Sequence, residues 1–227
     1  MLFPLTCSDN FFSNPDEVLT RLLKIPFNYN VETQYYPGLR TKNLVYEDEQ
    51  FSKWVVKKIF SINFPGFENE LNAKVDIFFQ KIPPGVEHDG WVHTDAFAKQ
   101  TAIIYLSKDN SAGTSIYLKN NFTDTIGEKL LTEDKNNLKY KYFTHPEKFN
   151  KEDLKILKNQ KEENNSYFNE TINIKSVYNR LVTFDGNSFH SAHVSSDKER
   201  LILILFFHQF LFKKTGMSYP LEGKDKV

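Results

Sequence analysis

The chain has 227 residues, 40% of them hydrophobic and 26% charged, the composition of an ordinary globular domain. Lys plus Arg and Asp plus Glu are 29 each, so the net charge is zero and leaves no electrostatic footprint for duplex nucleic acid or an anionic membrane. A single cysteine, Cys7, excludes an internal disulfide framework and a Cys-rich zinc site, and it predicts a reducing, cytoplasmic setting. Residues 1–10 carry neither a basic stretch nor an apolar core, so no secretory signal is expected. The longest unbroken apolar run, Leu201 to Phe207, falls far short of the ~20 residues of a membrane helix.

In chain order, Asn14-Pro15-Asp16-Glu17 sets an N-cap, a first-turn proline and two early carboxylates before the stripe Val18, Leu19, Leu22, Leu23, which predicts a helix. Tyr35 to Thr41 reads as a turn carrying aromatic and basic groups. A second helix is expected over about Asp48 to Phe60, where Phe51, Trp54, Val55 and Ile59 recur at helical spacing, ending at Asn63-Phe-Pro-Gly66. Residues 1–72 therefore read as a helical support.

From Ala73 the texture changes to short β-branched and aromatic runs: Val75 to Ile82, Thr101 to Leu106, Thr114 to Leu118, Leu181 to Phe184 and Leu201 to Phe207. Strands without intervening helices predict an antiparallel sandwich or barrel, and 21 Phe with 11 Tyr fit a core of packed strands. Residues 120–175, rich in Lys, Asn and Glu, read as a polar insertion, with a helix after Asn150 that sets Leu154 and Leu157 on one face. The charge run from Lys148 to Asn165 is expected to be a solvated excursion without chemistry, although its helix could form a lid. The expectation is one domain over 1–227, mainly β (α+β), with a core at 73–212 and a tail at 213–227.

The sharpest chemical feature is His93-Thr94-Asp95. In or just past a strand, residues i and i+2 share a face, so an imidazole nitrogen and a carboxylate oxygen can meet on one divalent ion. Taken alone the triplet also reads as an exposed turn. The second part is the strand and glycine turn Asn179 to Asn187, followed by His190 and His193. Two histidines and one carboxylate on an octahedral ion leave three positions open, the set associated with non-haem Fe(II) oxygenases. Arg200 heads the last apolar strand, where a guanidinium needs an anion: a bound carboxylate or a strand-edge salt bridge.

Together, His93-Thr-Asp95, His190 and Arg200 resemble the Fe(II)- and 2-oxoglutarate-dependent dioxygenase superfamily, nearest to its prolyl-4-hydroxylase-like branch. Asp9-Asn-Phe-Phe-Ser-Asn-Pro-Asp16, Tyr36-Pro-Gly-Leu-Arg-Thr41, Tyr105-Leu-Ser, Ala112-Gly-Thr114 with Tyr117, and Asn179-Arg-Leu-Val are similar to a bacterial and phage family within it. The resemblance implies a double-stranded β-helix (jelly-roll, cupin-like) core in which His93, Asp95 and His190 hold Fe(II). It further implies 2-oxoglutarate and O2 as co-substrates, with Arg200 on the C5 carboxylate, and hydroxylation as the outcome. Keeping Asp95 argues against halogenation, since halogenating relatives replace that carboxylate with a small residue.

Two departures matter. Many relatives place a hydroxyl two residues after the arginine, where this chain has Ile202, so Tyr105 is the candidate second donor for the C5 carboxylate, with core aromatic as its other role. His190 is preferred to His193 as the distal ligand because its spacing from the glycine turn and Arg200 fits the family pattern. Arg40 and His88 are candidate substrate-side residues, while His145, His208 and Cys7 receive no chemical role. The substrate is expected to be a small molecule or a peptide or protein side chain such as proline, with no strong nucleic-acid signal and no membrane. The alternative is a cupin-like metal-binding or non-catalytic binding module.

Overall fold

A computed structural model describes residues 3–28, 36–84, 90–108, 112–120, 138–193, 198–214 and 218–219. The elements run β1 (Thr6–Ser8), α1 (Pro15–Leu22), β2 (Phe27–Asn28), β3 (Leu39–Thr41), α2 (Leu44–Glu47), α3 (Glu49–Asn63), β4 (Leu71–Ile82), β5 (Gln100–Tyr105) and β6 (Gly113–Lys119). They continue with α4 (Leu138–Thr144), a 3-10 turn (Pro146–Lys148), α5 (Lys151–Ser166), β7 (Phe168–Lys175), β8 (Leu181–Asp185), β9 (Phe189–His193), β10 (Arg200–Phe212) and β11 (Ser218–Tyr219). One sheet has the order β1-β8-β5-β10-β4-β3-β2, with β11 also on β10, and a smaller sheet has the order β7-β6-β9. The pairings are antiparallel, and the two sheets make a double-stranded β-helix of the jelly-roll kind.

The central strand β10 shows why the sequence reads as an unbroken apolar run rather than an alternation. Both of its faces are covered. Leu201, Leu203, Leu205 and Phe207 pack with Val55, Ile59 and Phe60 of α3 on the outer side, while Ile202, Ile204 and Phe206 join Ile103 and Tyr105 on the inner side. Successive side chains point to opposite faces, so a strand buried on both must be apolar throughout.

The helix starts follow their caps: Asn14 accepts from the Glu17 amide, Asp48 from the Phe51 amide, and Asn150 forms a reciprocal capping box with Asp153. The segment before α1 is tied across the molecule by Asn179, which adopts a left-handed φ of 65° and pairs its side-chain amide with both backbone groups of Phe12. Arg180 clamps Asp9 beside it through Nε at 2.5 Å and Nη2 at 2.9 Å.

Two boundaries differ from the sequence reading. The support at 1–72 is not only helical, because β1, β2 and β3 extend the large sheet. The insertion ends before β7, which belongs to the small sheet. Only Phe168 and Ile174 of β7 are buried, so its polar outer residues concealed the strand. Among the described residues, no helix is long and apolar enough to cross a membrane.

Candidate metal centre

His93 lies at an isolated antiparallel bridge to His190, the amide of each donating to the other's carbonyl at 3.0 and 2.8 Å. Asp95 follows two residues later and is held by its amide on the Gly186 carbonyl at 2.8 Å. Gly186 is needed for this close approach: a Cβ there would run into the Ala98 carbonyl and come within 2.8 Å of the Asp95 carbonyl oxygen. The glycine turn after β8 thus seats the loop that carries two ligands against the strand that carries the third. One ligand atom from each of His93, Asp95 and His190 lies within 4.8 Å of the others.

The hydrogen bonds select the coordinating atoms. Nδ1 of His93 donates to the Trp91 carbonyl at 2.8 Å and Nδ1 of His190 to the Ser188 carbonyl at 2.9 Å. A carbonyl can only accept, so each ring in its neutral form keeps its proton on Nδ1 and leaves Nε2 as the atom available to a metal. Those Nε2 atoms lie 3.9 and 3.4 Å from the two Asp95 oxygens, and Thr101 Oγ1 donates to Asp95 Oδ2 at 2.7 Å.

Burial, reinforced by the field of His190 and Lys139, pushes His93 down to about 3, so it stays neutral. Burial also works against a charge on His190, but the charge and hydrogen bond of Asp95 prevail and raise it. Asp95 itself is disfavoured as an anion by burial, yet the paired His190, then His93 and Thr101, hold it well below the usual carboxylate range. A neutral imidazole, a basic imidazole and a carboxylate at this spacing are the donor set of a first-row divalent ion.

The cluster opens on a cavity of about 340 Å³ that also receives Arg200, Thr114, Ile202, Arg40, Phe97 and Lys139. Arg200 is buried, and its Nε and Nη2 find no partner among the described residues. Tyr105 offsets part of the burial of this charge, but two unpaired buried guanidinium nitrogens remain costly unless an anion meets them. Tyr105 is fully buried behind this wall, its ring 5.8 Å from the guanidinium carbon, and its hydroxyl donates to Thr114 Oγ1 at 2.7 Å. Thr114, not Tyr105, lines the cavity, with its own hydroxyl hydrogen left for a ligand.

The charged side chains from Lys148 to Glu163 are exposed or partly exposed, as a solvated face would be, but other residues of the insertion turn toward the cavity. Lys139, Tyr140 and Phe143 of α4 line the cavity, and Tyr142, Phe143 and Leu157 pack with Trp91. From α5, Asn164 Nδ2 donates to the Val92 carbonyl at 3.1 Å and Asn165 Oδ1 accepts from the Val92 amide at 3.0 Å, while Asn165 Nδ2 donates to the Gly90 carbonyl. Two asparagines thereby brace the backbone just ahead of His93. Sequence reasoning missed them because polar residues that pair with a distant backbone look the same as solvated ones. The clue was Tyr140, Tyr142 and Phe143, a ring cluster inside an otherwise polar stretch.

His193 lies outside the cluster, with Nε2 2.6 Å from Ser115 Oγ and 3.4 Å from Glu170. His208 pairs with Asp76 at 2.9 Å and His145 with Glu147 at 3.2 Å. Cys7 is exposed on β1. His88 falls outside the described residues.

The comparisons agree with this architecture. The nickel- and 2-oxoglutarate-bound HygX of Streptomyces hygroscopicus is similar at a TM-score of 0.52 and 6% identity, over 91% of this chain and 83% of that one. The non-haem α-ketoglutarate-dependent epimerase SnoN of nogalamycin biosynthesis gives 0.52 and 9%, over 93% and 81%. The Trichoplax adhaerens prolyl hydroxylase, solved with a hypoxia-inducible-factor peptide fragment, gives 0.51 and 11%, over 89% and 82%. At such identities the likeness is one of fold. No curated protein matches the chain. The chain therefore has the fold of the 2-oxoglutarate-dependent oxygenases and, with a family model matching residues 3–201, belongs to DUF6445, a family of unknown function.

Proposed function

We propose that this protein is an Fe(II)- and 2-oxoglutarate-dependent hydroxylase with His93, Asp95 and His190 as metal ligands. The observation that carries the reading is one cavity holding both a three-ligand cluster, with the two imidazole Nε2 atoms turned to Asp95, and a buried Arg200 whose Nε and Nη2 have no partner among the described residues. Either half alone has a structural explanation; together they suit a metal and an oxo-acid chelated to it. When bound, iron and 2-oxoglutarate supply activation of dioxygen, with decarboxylation to succinate and carbon dioxide accompanying insertion of one oxygen into a substrate C–H bond.

The chain's own residues would divide the work. Trp91 and Ser188 carbonyls orient the two imidazoles, and Thr101 holds Asp95 in one rotamer. Arg200 would take the distal carboxylate of 2-oxoglutarate through a charge-assisted pair, with Thr114 as hydroxyl donor in place of the one absent at Ile202. Tyr105 would be the positioning residue that turns the Thr114 hydrogen outward, since its own proton occupies the Thr114 oxygen. The α4 residues would cover the cavity and limit access of water. A substrate entering past Phe97 would meet the open side of the cluster.

The test is an anaerobic titration of metal-free protein with Fe(II) and then 2-oxoglutarate, watching for the visible charge-transfer band of the chelate. The band should saturate in wild type and vanish in Asp95→Ala. In Arg200→Ala it should need roughly ten- to a hundredfold more 2-oxoglutarate with iron affinity little changed, the loss of one charge-assisted pair. Iron binding without any band would leave a metal-binding module and overturn the co-substrate assignment.

A further inference from the structure

Arg40 is a second guanidinium on the same cavity wall, and the hydroxylase reading does not use it. Its position follows from register: Arg40 of β3 pairs with Gln80 of β4, while Arg200 of β10 pairs with Ile82, two residues further along β4. Paired residues share a face, as do positions i and i+2, so both arginines face inward. Two strand spacings and two residues separate their Cα atoms by about 12 Å. They stand on opposite flanks of β4, so each has its own stretch of wall.

Arg40 is held rigidly. Its Nε donates to Gln80 Oε1 at 3.0 Å, and the Gln80 amide is fixed in that sense by donating Nε2 to the Pro37 carbonyl at 2.7 Å. The guanidinium carbon sits 3.8 Å above the Tyr36 ring and 5.4 Å from that of Phe206. Gly38, at a φ of 72°, lets the segment press against the β4 backbone, where a Cβ would collide with the Lys81 carbonyl. With Nε engaged and one face stacked, the terminal nitrogens are left to bind a planar two-oxygen acceptor.

The charges in the cavity point the same way. Asp95 is the one carboxylate among the described lining residues, and a divalent ion on the cluster takes up its charge. Arg200 would be matched by 2-oxoglutarate. Lys139 adds a further positive charge to the cavity, and Arg40 then remains without an acidic partner among the described residues, beside an apolar strip in which Phe97, half exposed at the mouth, lies 5.0 Å from Phe206. Burial lowers Arg40 to about 10, which still leaves it charged at neutral pH.

We propose that the substrate is an amphipathic carboxylate, its carboxylate paired with Arg40 and its apolar part against Phe97 and Phe206. The inference rests on the hydroxylase reading for what happens to that substrate, but the binding site itself can be tested separately.

The experiment is calorimetric titration of phenylacetate, phenylacetamide and phenyl phosphate into protein loaded with Mn(II) and N-oxalylglycine, a 2-oxoglutarate isostere that fills the co-substrate position. Phenylacetate should bind roughly ten- to a hundredfold more tightly than the neutral amide. Arg40→Gln should abolish that preference while keeping amide binding, N-oxalylglycine binding and the melting temperature, and Arg40→Lys should restore part of it. Equal binding of acid and amide in wild type overturns the proposal, as does a preference that survives Arg40→Gln. Tighter phenyl phosphate overturns the carboxylate assignment in favour of a phosphoryl group. Loss of N-oxalylglycine binding in Arg40→Gln would make Arg40 the co-substrate clamp and also overturn it. If wild type binds neither Mn(II) nor N-oxalylglycine, the hydroxylase reading fails, and the same three probes on the metal-free protein still decide the role of Arg40.

Discussion

On its outer side the large sheet is closed by α3, with Phe60 and Phe64 packed against Phe207 and Phe210 at centroid distances of 5.4–6.0 Å. The small sheet is built otherwise. Thr114 and Ile116 face inward, so the alternate residues Ser115 and Tyr117 turn outward, where they hydrogen-bond His193, Asn173 and Ser191. The large sheet buries apolar area on both faces. The small sheet buries one face and satisfies the other with side-chain pairs, yet it contributes His190 and Thr114 to the cavity. Stability is concentrated in one wall, and part of the chemistry is mounted on the other.

The largest test of that contrast is a matched pair of truncations. Phe60→Ala, in the doubly covered wall, should cost about 3–5 kcal/mol of unfolding free energy by urea titration. Tyr117→Phe, on the small sheet, loses the hydroxyl contact to Ser191 and should cost about 1 kcal/mol. Comparable losses would erase the distinction between the walls.

A second test lies where the walls meet. Gly186→Ala forces its methyl against the Ala98 and Asp95 carbonyls, so the turn must open and carry Asp95 away from His190. Divalent-metal affinity should fall by about ten- to a hundredfold, the range for loss of a ligand's orienting contacts, measured by competition with a chelating dye. A metal affinity equal to wild type would show that the turn does not set the ligand geometry.

The smallest effect is one of pH. The raised pKa of His190 means that a proton and a metal ion compete for its Nε2, while His93, near 3, offers no competition at neutral pH. Metal affinity should fall about tenfold per pH unit once the pH drops below the raised His190 value, with one proton released per ion bound. For the metal-free protein the sign is opposite. Its His190–Asp95 pair contributes stability that is fully present below the unfolded histidine pKa of ~6.5 and is lost as pH rises through the folded value. A two-proton slope, or none, would contradict the assignment of one protonated and one neutral imidazole to His190 and His93.

Much of this was legible locally. The cap at Asn14 and the apolar spacing after Asp48 and Asn150 marked helices because both signals depend on neighbouring residues alone, and β4, β5, β6, β8 and β10 stood out by their β-branched and aromatic runs. His93 and Asp95 could be paired from residue type and i, i+2 spacing, and the family resemblance joined His190 to them. Strands β7 and β9 were hidden because a half-polar or polar-lined strand lacks a contrast in hydropathy. The bracing by Asn164 and Asn165 was hidden because a hydrogen bond to a backbone carbonyl in another segment leaves no periodic mark.

What the sequence determined by itself, then, is the list of elements and the chemical types available to a site: two imidazoles, a carboxylate and an arginine at the head of an apolar strand. The family resemblance implied which of them meet, and tertiary structure decided how. The bridge between His93 and His190, the contact of Gly186 with the Asp95 loop, the placing of Arg40 and Arg200 on either flank of β4, and the α4 residues along the cavity all join segments distant in the chain. Local patterning reports how each segment divides between water and the interior. Only the packing of one buried face on another selects partners, and here that packing closes the cavity.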